Sequence, residues 1–263
     1  MSSVTPELKE FLEENHDRYN RTSFIKEDPV SIPHLFTKKE DIEVSAMLTS
    51  VIAWGQRKTI CRNAGLLMER MDMSPGQFVK DFSKRDLKAT LNFRHRTFQP
   101  TDLASFLLFM RNVYRDGGLE KAFFQKPCPV GGAIENCRKQ FIRACIQQRS
   151  HKHFPSPAAG SAAKRMNMFL RWMVRRDKRG VDFGIWNYKL MPDLMCPLDL
   201  HSGRIARMLG LLKRKQNDWN AVEELTRNLK LYDASDPVKY DFALFGTGVN
   251  EKLLRLSEKH IRK

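Results

Sequence analysis

The chain has 263 residues, which is long enough for one large domain or two small lobes with a hydrophobic core. Apolar residues make up 41% of it, a share that excludes a wholly disordered chain. Lysine and arginine number 46 against 30 acidic residues, so the net charge is 46 − 30 = +16 and indicates a polyanionic partner, with nucleic acid ahead of a membrane surface.

Apolar residues recur at intervals of three and four along most of the chain, which predicts helices. Alternating apolar and polar runs between turn residues are almost absent, so we expect an all-α fold with little or no sheet. The clearest helix should have its start signal at Pro100-Thr101-Asp102 and its stop signal at Gly117-Gly118. In chain order the apolar groups are Val44, Met47, Leu48, Val51 and Ile52; Ile60, Ala64, Leu67 and Met71; Leu103, Phe106, Leu107, Met110, Val113 and Tyr114; Ile134, Cys137, Phe141 and Ala144; Ile205, Met208, Leu209 and Leu212; and Val222, Leu225 and Leu229.

A loop-like stretch, HKHFPSPAAG at 151–160, predicts a boundary between two lobes. We therefore expect one compact two-lobed unit over 1–263. Its central helical lobe would cover 43–155, and its terminal lobe would combine 1–42 with 156–263.

Localisation and cofactors follow from what the sequence lacks. No stretch approaches the ~20 apolar residues that cross a bilayer, and the N-terminal segment lacks the apolar centre of a secretory signal. We expect a cytoplasmic protein with no membrane contact. The five cysteines are odd in number and form no C-x-x-C pair, so neither a disulfide framework nor a zinc site is predicted.

The segment 156–179 predicts a helix that carries a lysine near its start. Ser156 before Pro157 is a suitable N-cap, and Ser161 is a later alternative. Lys164, Arg171 and Arg175 then follow on one face at helical spacing, and neighbouring cations lower the pKa of an amine and favour its use as a nucleophile. Small residues at 160–163 would let a phosphate approach the free backbone N–H groups. The alternative interpretation is an ordinary solvated face.

A second segment, 196–210, places Asp199 just before a predicted helix. An aspartate at this position would be held ionised by the backbone donors and by the positive end of the helix. A carboxylate fixed in this way could stabilise developing positive charge on a sugar, and Arg204 and Arg207 could contact phosphates from the same helix. The alternative is that Asp199 only caps the helix.

At this point the sequence resembles a known superfamily, the helix-hairpin-helix (HhH-GPD) DNA base-excision glycosylases. The proline–apolar–Asp–x–His segment at 197–201 is similar to the segment that holds their catalytic aspartate. The stretches 43–71 and 93–123 resemble two earlier parts of these enzymes in the same order, and DPVKYDFALFGTG at 236–248 extends the resemblance to roughly residues 40–250. Within the superfamily, the chain looks like a bacterial family of unknown function and is closest in pattern to the archaeal oxidised-guanine DNA glycosylases.

The resemblance implies an all-α fold of two helical lobes with a DNA-binding cleft between them. It places Asp199 at the catalytic aspartate and Lys164 at the Schiff-base lysine of the members that also cleave the strand. The usual hairpin L-P-G-x-G-x-x-A is replaced here by FPSPAAGSAAKRMN, and the interval of 35 residues (199 − 164) between the two side chains is longer than in most members. The archaeal enzymes show a similarly altered hairpin and a longer interval. The four-cysteine iron–sulfur motif is absent, so no cofactor is expected.

The implied function is removal of a damaged base, such as an oxidised purine, from duplex DNA by base flipping, together with AP-lyase activity. We expect a monomer. The residues predicted to contact DNA phosphates are Gly160, Ser161, Arg165, Arg171, Arg175, His201, Arg204 and Arg207. Those predicted to face the lesion or read a base are Trp54, Gln56, Arg94, His95 and Phe98, although core packing explains Trp54 and Phe98 equally well.

Three other functions remain open from the sequence. The chain could be a non-catalytic nucleic-acid-binding protein that retains the fold, a protein directed to structured RNA, or a helical interaction module. His151 and His153 could suggest a metal pair, but no third ligand is evident.

Overall fold

The computed structural model describes residues 5–90 and 92–249. Within these ranges every secondary-structure element is a helix, and there is no strand. Two isolated β-bridges pair His95 with Phe98 and Ser161 with Asp218. The predicted all-α class is therefore confirmed. The two ends of the predicted unit, 1–4 and 250–263, lie outside the described residues.

The described α-helices are numbered in chain order. They are α1 (Pro6–Tyr19), α2 (Thr22–Ile25), α3 (Lys39–Val51), α4 (Arg57–Glu69), α5 (Pro75–Asp81), α6 (Lys84–Thr90), α7 (Pro100–Arg115), α8 (Leu119–Phe124), α9 (Val130–Ala144), α10 (Lys164–Val174), α11 (Leu200–Met208), α12 (Trp219–Lys230) and α13 (Asp241–Val249). Short 3₁₀ helices lie at Pro29–Ser31, Pro33–Leu35, Gln148–His153, Tyr188–Asp193 and Pro237–Tyr240.

The chain divides into two compact units, one of which is continuous and covers Ile25–Pro157. Helix α7 is central to this unit and packs against α5 and α9. Its ends are set by local signals: Gln99 and Asp102 form a capping box around Pro100, and the glycines after its last turn adopt positive φ. The predicted bounds of this helix are confirmed. Phe106 and Phe109 of α7 form a cluster of buried aromatic rings with Phe141 of α9 and Phe154.

The other unit combines 5–24 with 158–249. Helix α10 forms its centre, and every residue in Met166–Val174 is buried. Helix α13 packs against both α1 and α11. Gly246 of α13 lies against the Tyr19 ring of α1, and a Cβ at this position would overlap the ring. The helix–helix approach here therefore requires glycine.

The division of the chain differs from the predicted lobes at residues 25–42, which the prediction placed in the terminal lobe. Val30 and Ile32 in this segment are buried. The 3₁₀ helices Pro29–Ser31 and Pro33–Leu35 pack against α3, and the first of them also contacts α4. The segment therefore belongs to the Ile25–Pro157 unit, since its apolar side chains find their partners there. The boundary between the lobes was predicted near residue 155, and in the structure the two units divide between Pro157 and Ala158.

Candidate active site

The lysine side of the candidate site is the first turn of α10. The helix begins at Lys164, and its N-cap is Ala163, a buried residue in the left-handed region at φ 47°. The Ala163 N–H donates to Ser161 Oγ at 3.2 Å. The predicted caps were wrong: Ser161 lies two residues too early, and Ser156 donates to Glu135 at 2.6 Å instead. A left-handed alanine has no residue-type signature in a sequence.

The carboxylate side is the N-cap of α11. Asp199 Oδ1 accepts from the backbone N–H groups of His201 at 2.8 Å and Ser202 at 2.9 Å. In return Asp199 N donates to Ser202 Oγ at 2.9 Å, which completes a reciprocal capping box. The predicted capping position of Asp199 is confirmed, and two backbone donors fix the orientation of its carboxylate.

The two segments bring Lys164 and Asp199 together. Lys164 Nζ lies 3.1 Å from Asp199 Oδ2, with the side chains 32% and 19% exposed, so the pair is neither buried nor fully solvated. Burial raises the pKa of the Asp199 carboxyl, but the Lys164 ammonium and the Ser202 N–H outweigh this effect and hold the pKa below its usual value. The carboxylate is therefore ionised at neutral pH.

Helix α13 contributes two further side chains that the sequence analysis did not single out. The half-buried Phe245 ring centroid lies 5.8 Å from Lys164 Nζ. Asp241 is buried and receives a hydrogen bond from Arg171. Burial raises the pKa of Asp241 to about 6, against the opposing effect of the Arg171 guanidinium. In the sequence, Asp241 and Phe245 are four residues apart, a spacing that places both on one face of a helix. This pattern could have indicated that they lie together.

The loop between α11 and α12 connects the lysine and carboxylate segments. Asn217 donates from Nδ2 to the Asp199 carbonyl oxygen at 3.0 Å. Trp219 N donates to the Gly160 carbonyl oxygen at 3.1 Å, and Ser161 forms a bridge with Asp218. The pair is therefore held by one hydrogen-bonded frame within a single unit.

Two arginines predicted to contact phosphate are instead buried in ion pairs. Arg171 is bonded to Asp182 at 3.2 Å and to Asp241, and it stacks over Phe242. Its neighbour one turn on, Arg175, is bonded to three carboxylates at 2.8 to 3.0 Å, those of Asp177, Asp182 and Asp236. Both predictions were wrong, because α10 is surrounded by protein and these guanidinium groups face acidic residues from later in the chain.

The other predicted phosphate contacts lie in different settings. Arg207 donates to the Arg214 carbonyl oxygen at 2.8 Å and to Asn217 Oδ1 at 2.6 Å, so it supports the α11–α12 loop and its predicted role is revised. Arg204 is exposed and donates to the Gly248 carbonyl oxygen at 3.1 Å. Gly160 and His201 are exposed, and Ser161 and Arg165 are half-buried. The roles of these five remain predictions.

The predicted base-reading residues all lie in the Ile25–Pro157 unit. His95 is buried and bonded through Nε2 to the Trp54 carbonyl oxygen at 3.2 Å, while the half-buried Trp54 ring stacks on His153 at 5.9 Å. Phe98 is fully buried against His153 and belongs to the core, so its predicted contact with a base was wrong. The burial of His95 likewise excludes direct contact with a base.

Two of these five residues are exposed. Gln56 is the N-cap residue of α4, and Arg94 donates to Gln99 Oε1 at 2.7 Å. Gln56, Arg94 and the half-buried Trp54 remain predictions.

A metal site has little support in the described ranges, where no group of three or more His, Cys, Asp or Glu side chains is arranged to hold an ion. His153, one member of the histidine pair considered from the sequence, is buried with Nε2 3.0 Å from Asp102 Oδ2.

Fold and site together define an all-α protein in which a lysine and an aspartate meet at the first turn of one helix and the N-cap of another. The chain belongs to DUF2400, a family described as protein of unknown function, whose profile matches residues 28–250. No curated protein and no solved structure matches it. None of the described helices is long and apolar enough to cross a membrane.

Proposed function

We propose that this protein is a DNA base-excision glycosylase with AP-lyase activity, in which Lys164 is the nucleophile and Asp199 is the carboxylate that supports it. The observation that carries the proposal is the 3.1 Å approach of Lys164 Nζ to Asp199 Oδ2 at a partly exposed position. The net charge of +16 supports a polyanionic substrate.

The chemistry suits a sugar centre that becomes positively charged. When the bond between C1′ and the base breaks, its electron pair leaves on the base nitrogen, and the ionised Asp199 stabilises the cation that develops on the sugar. Its two backbone hydrogen bonds hold the carboxylate in place, so little reorganisation accompanies the charge change. A flipped nucleotide is required, since C1′ is inaccessible to Lys164 inside a base-paired stack.

Lys164 then forms the covalent intermediate. Its ammonium gives one proton, through Asp199, to the departing base, and the free amine attacks C1′. A second proton passes from the same nitrogen to O4′ as the sugar ring opens, which leaves an iminium ion between Lys164 and C1′. Loss of a proton from C2′ then expels the 3′ phosphate and cleaves the strand.

The surroundings of Lys164 favour a planar, uncharged group beside the pair. The Phe245 ring lies on the lysine side at 5.8 Å from Nζ, and aromatic rings stack on nucleobases. Asp241, four residues earlier on the same helix, is buried and paired with Arg171. Phe245 is the proposed wall of the base pocket, and it carries no part of the covalent step.

Borohydride trapping tests this function directly, because borohydride reduces the iminium ion to a stable amine that joins protein and DNA. The probes are duplexes that carry 8-oxoguanine, uracil or an abasic site. Wild-type protein should give an adduct with at least one duplex, and Lys164→Ala should give none.

The matched control is Lys189→Ala, which removes an exposed lysine from the same unit and should leave the adduct yield unchanged. An adduct that persists in Lys164→Ala would overturn the role of Lys164. Absence of any adduct or base release from the whole panel would leave the non-catalytic nucleic-acid-binding function, which the capping role of Asp199 also allows.

A further inference from the structure

A concave surface lies where the loop before α12 meets that helix, apart from the Lys164–Asp199 pair. It encloses about 600 Å³, is open to solvent, and is formed by the α11–α12 loop and one face of α12. Four of its lining residues are cations, Lys213, Arg214, Lys215 and Arg227, and one is an acid, Glu224. Small-molecule sites are lined mainly by apolar groups, so this lining suits a charged and extended ligand instead.

The acidic groups near this surface are already bound within the protein. Glu224 accepts from the backbone N–H of Lys213 at 2.6 Å and from that of Arg214 at 3.3 Å, and so closes the loop onto α12. The Arg214 guanidinium is paired with Asp218. The other cations of the lining are Lys213, Lys215 and Arg227. Among the described residues, no carboxylate lies within 4.0 Å of their charged nitrogens. Three cations therefore face the same concavity without a carboxylate counter-ion from the part of the chain that the structure describes.

The loop that carries these cations is held in place. The Arg207 guanidinium lies beneath it and donates to the Arg214 carbonyl oxygen and to Asn217 Oδ1. Asn217 in turn donates to the carbonyl oxygen of Asp199 at 3.0 Å. The position of the concavity is thus fixed relative to the candidate active site by direct hydrogen bonds.

We infer that this surface, defined by Lys213, Lys215 and Arg227, binds the phosphodiester backbone of the DNA whose nucleotide reacts at Lys164 and Asp199. The inference rests on the proposed function. Lysine and arginine that neutralise phosphates release condensed counter-ions, so each contact contributes to affinity in a salt-dependent way. The contacts read no base, and they position the strand relative to the reacting sugar.

The test is the salt dependence of DNA binding. Fluorescence anisotropy is measured on a labelled duplex that carries a tetrahydrofuran abasic analogue, between about 50 and about 200 mM salt. The triple variant Lys213→Gln/Lys215→Gln/Arg227→Gln should reduce the slope of log K against log salt by about 2 to 3, since each phosphate contact contributes about 0.9.

The control is Lys84→Gln/Arg85→Gln/Lys88→Gln, which removes the same charge from exposed positions on α6. Its slope should match the wild type. An equal loss of slope in both variants, or none in either, would overturn the inference. Displacement of the duplex by an RNA hairpin of equal length at equal concentration would overturn the assignment to DNA.

These outcomes are separable from those of the proposed function. A reduced slope in a protein that never forms an adduct would support the phosphate surface and reject the lyase. Adduct formation by the wild type, together with an unchanged slope in the triple variant, would support the lyase and reject the phosphate surface.

Discussion

Lys164 Nζ and Asp199 Oδ2 lie 3.1 Å apart, and both residues stand at the N-terminal ends of helices. The helix dipole favours an anion at this end and disfavours a cation. Asp199 is therefore stabilised by its own helix, whereas Lys164 depends on the carboxylate opposite. This asymmetry makes Asp199 the residue whose charge holds the pair.

Asp199→Asn should strongly slow base release and leave the fold intact. Asparagine caps helices as well as aspartate does, so the loss of unfolding free energy should stay within about 1 kcal/mol, the usual scale for a partly exposed ion pair. Removal of the charge should lower the single-turnover rate by at least about 10²-fold. Asp86→Asn is the control, because Asp86 also accepts a backbone hydrogen bond but lies in the other unit. Wild-type base release by Asp199→Asn would reject the catalytic role.

The same variant should reveal the low pKa of Asp199 in the pH dependence of stability. A carboxyl whose pKa is lowered on folding stabilises the native state above its unfolded pKa of about 3.9, and this contribution is lost as pH falls through the lower folded pKa. The difference in unfolding free energy between wild type and Asp199→Asn should be constant from about pH 7 to about pH 5 and shrink below about pH 4. Urea titrations at several pH values measure it, and a difference that grows in acid would contradict the prediction.

Arg175→Ala should strongly destabilise the unit that carries the site. The guanidinium is 1% exposed and balances three carboxylates, so its removal leaves buried negative charge without a partner. Breaking a buried ion pair from one side costs about 3–5 kcal/mol. Lys178→Ala, an exposed neighbour, should change stability by less than about 0.5 kcal/mol. Equal denaturation midpoints for the two variants would show that the buried arginine contributes nothing.

Gly246→Ala should separate α13 from α1. The added methyl group would overlap the Tyr19 ring, and overpacking of this kind costs about 1–3 kcal/mol. Tyr19→Ala removes the obstacle, so Gly246→Ala should cost much less when made in Tyr19→Ala than in the wild type. A double-mutant cycle on thermal unfolding measures this coupling, and strictly additive effects would locate the cost elsewhere.

Local signals in the sequence were sufficient for several elements. Proline at 100 and glycines at 117 and 118 set the ends of α7, since proline presets φ for the first turn and glycine tolerates the positive φ after the last turn. The N-cap position of Asp199 followed because its side-chain oxygens accept from free backbone N–H groups of the first turn. The approach of Lys164 to Asp199 is different in kind: it depends on how α10 packs against the chain that follows, and periodicity carries no such information.

The wrong predictions for Arg171 and Arg175 have a common physical cause. Arg171 and Arg175 share a helical face with Lys164, and in a sequence such a face resembles a solvated or phosphate-binding one. Their true partners, Asp182, Asp236 and Asp241, become neighbours only through tertiary packing. The sequence analysis did not single out the cations of the 213–227 surface, because a short run of basic residues is typical of any solvated loop.

The unit that holds the candidate site is built from both sides of an inserted one: α1 precedes Ile25–Pro157, and its packing partner α13 follows it. On the ribosome, every contact within the inserted unit becomes available once residue 157 has emerged, and domains fold as they emerge. Helix α1 cannot pack against α13 until α13 has been translated, so Leu12, which is buried in the folded protein, lacks part of its packing until then. The unit that carries the Lys164–Asp199 pair therefore cannot complete its packing before α13 has been translated.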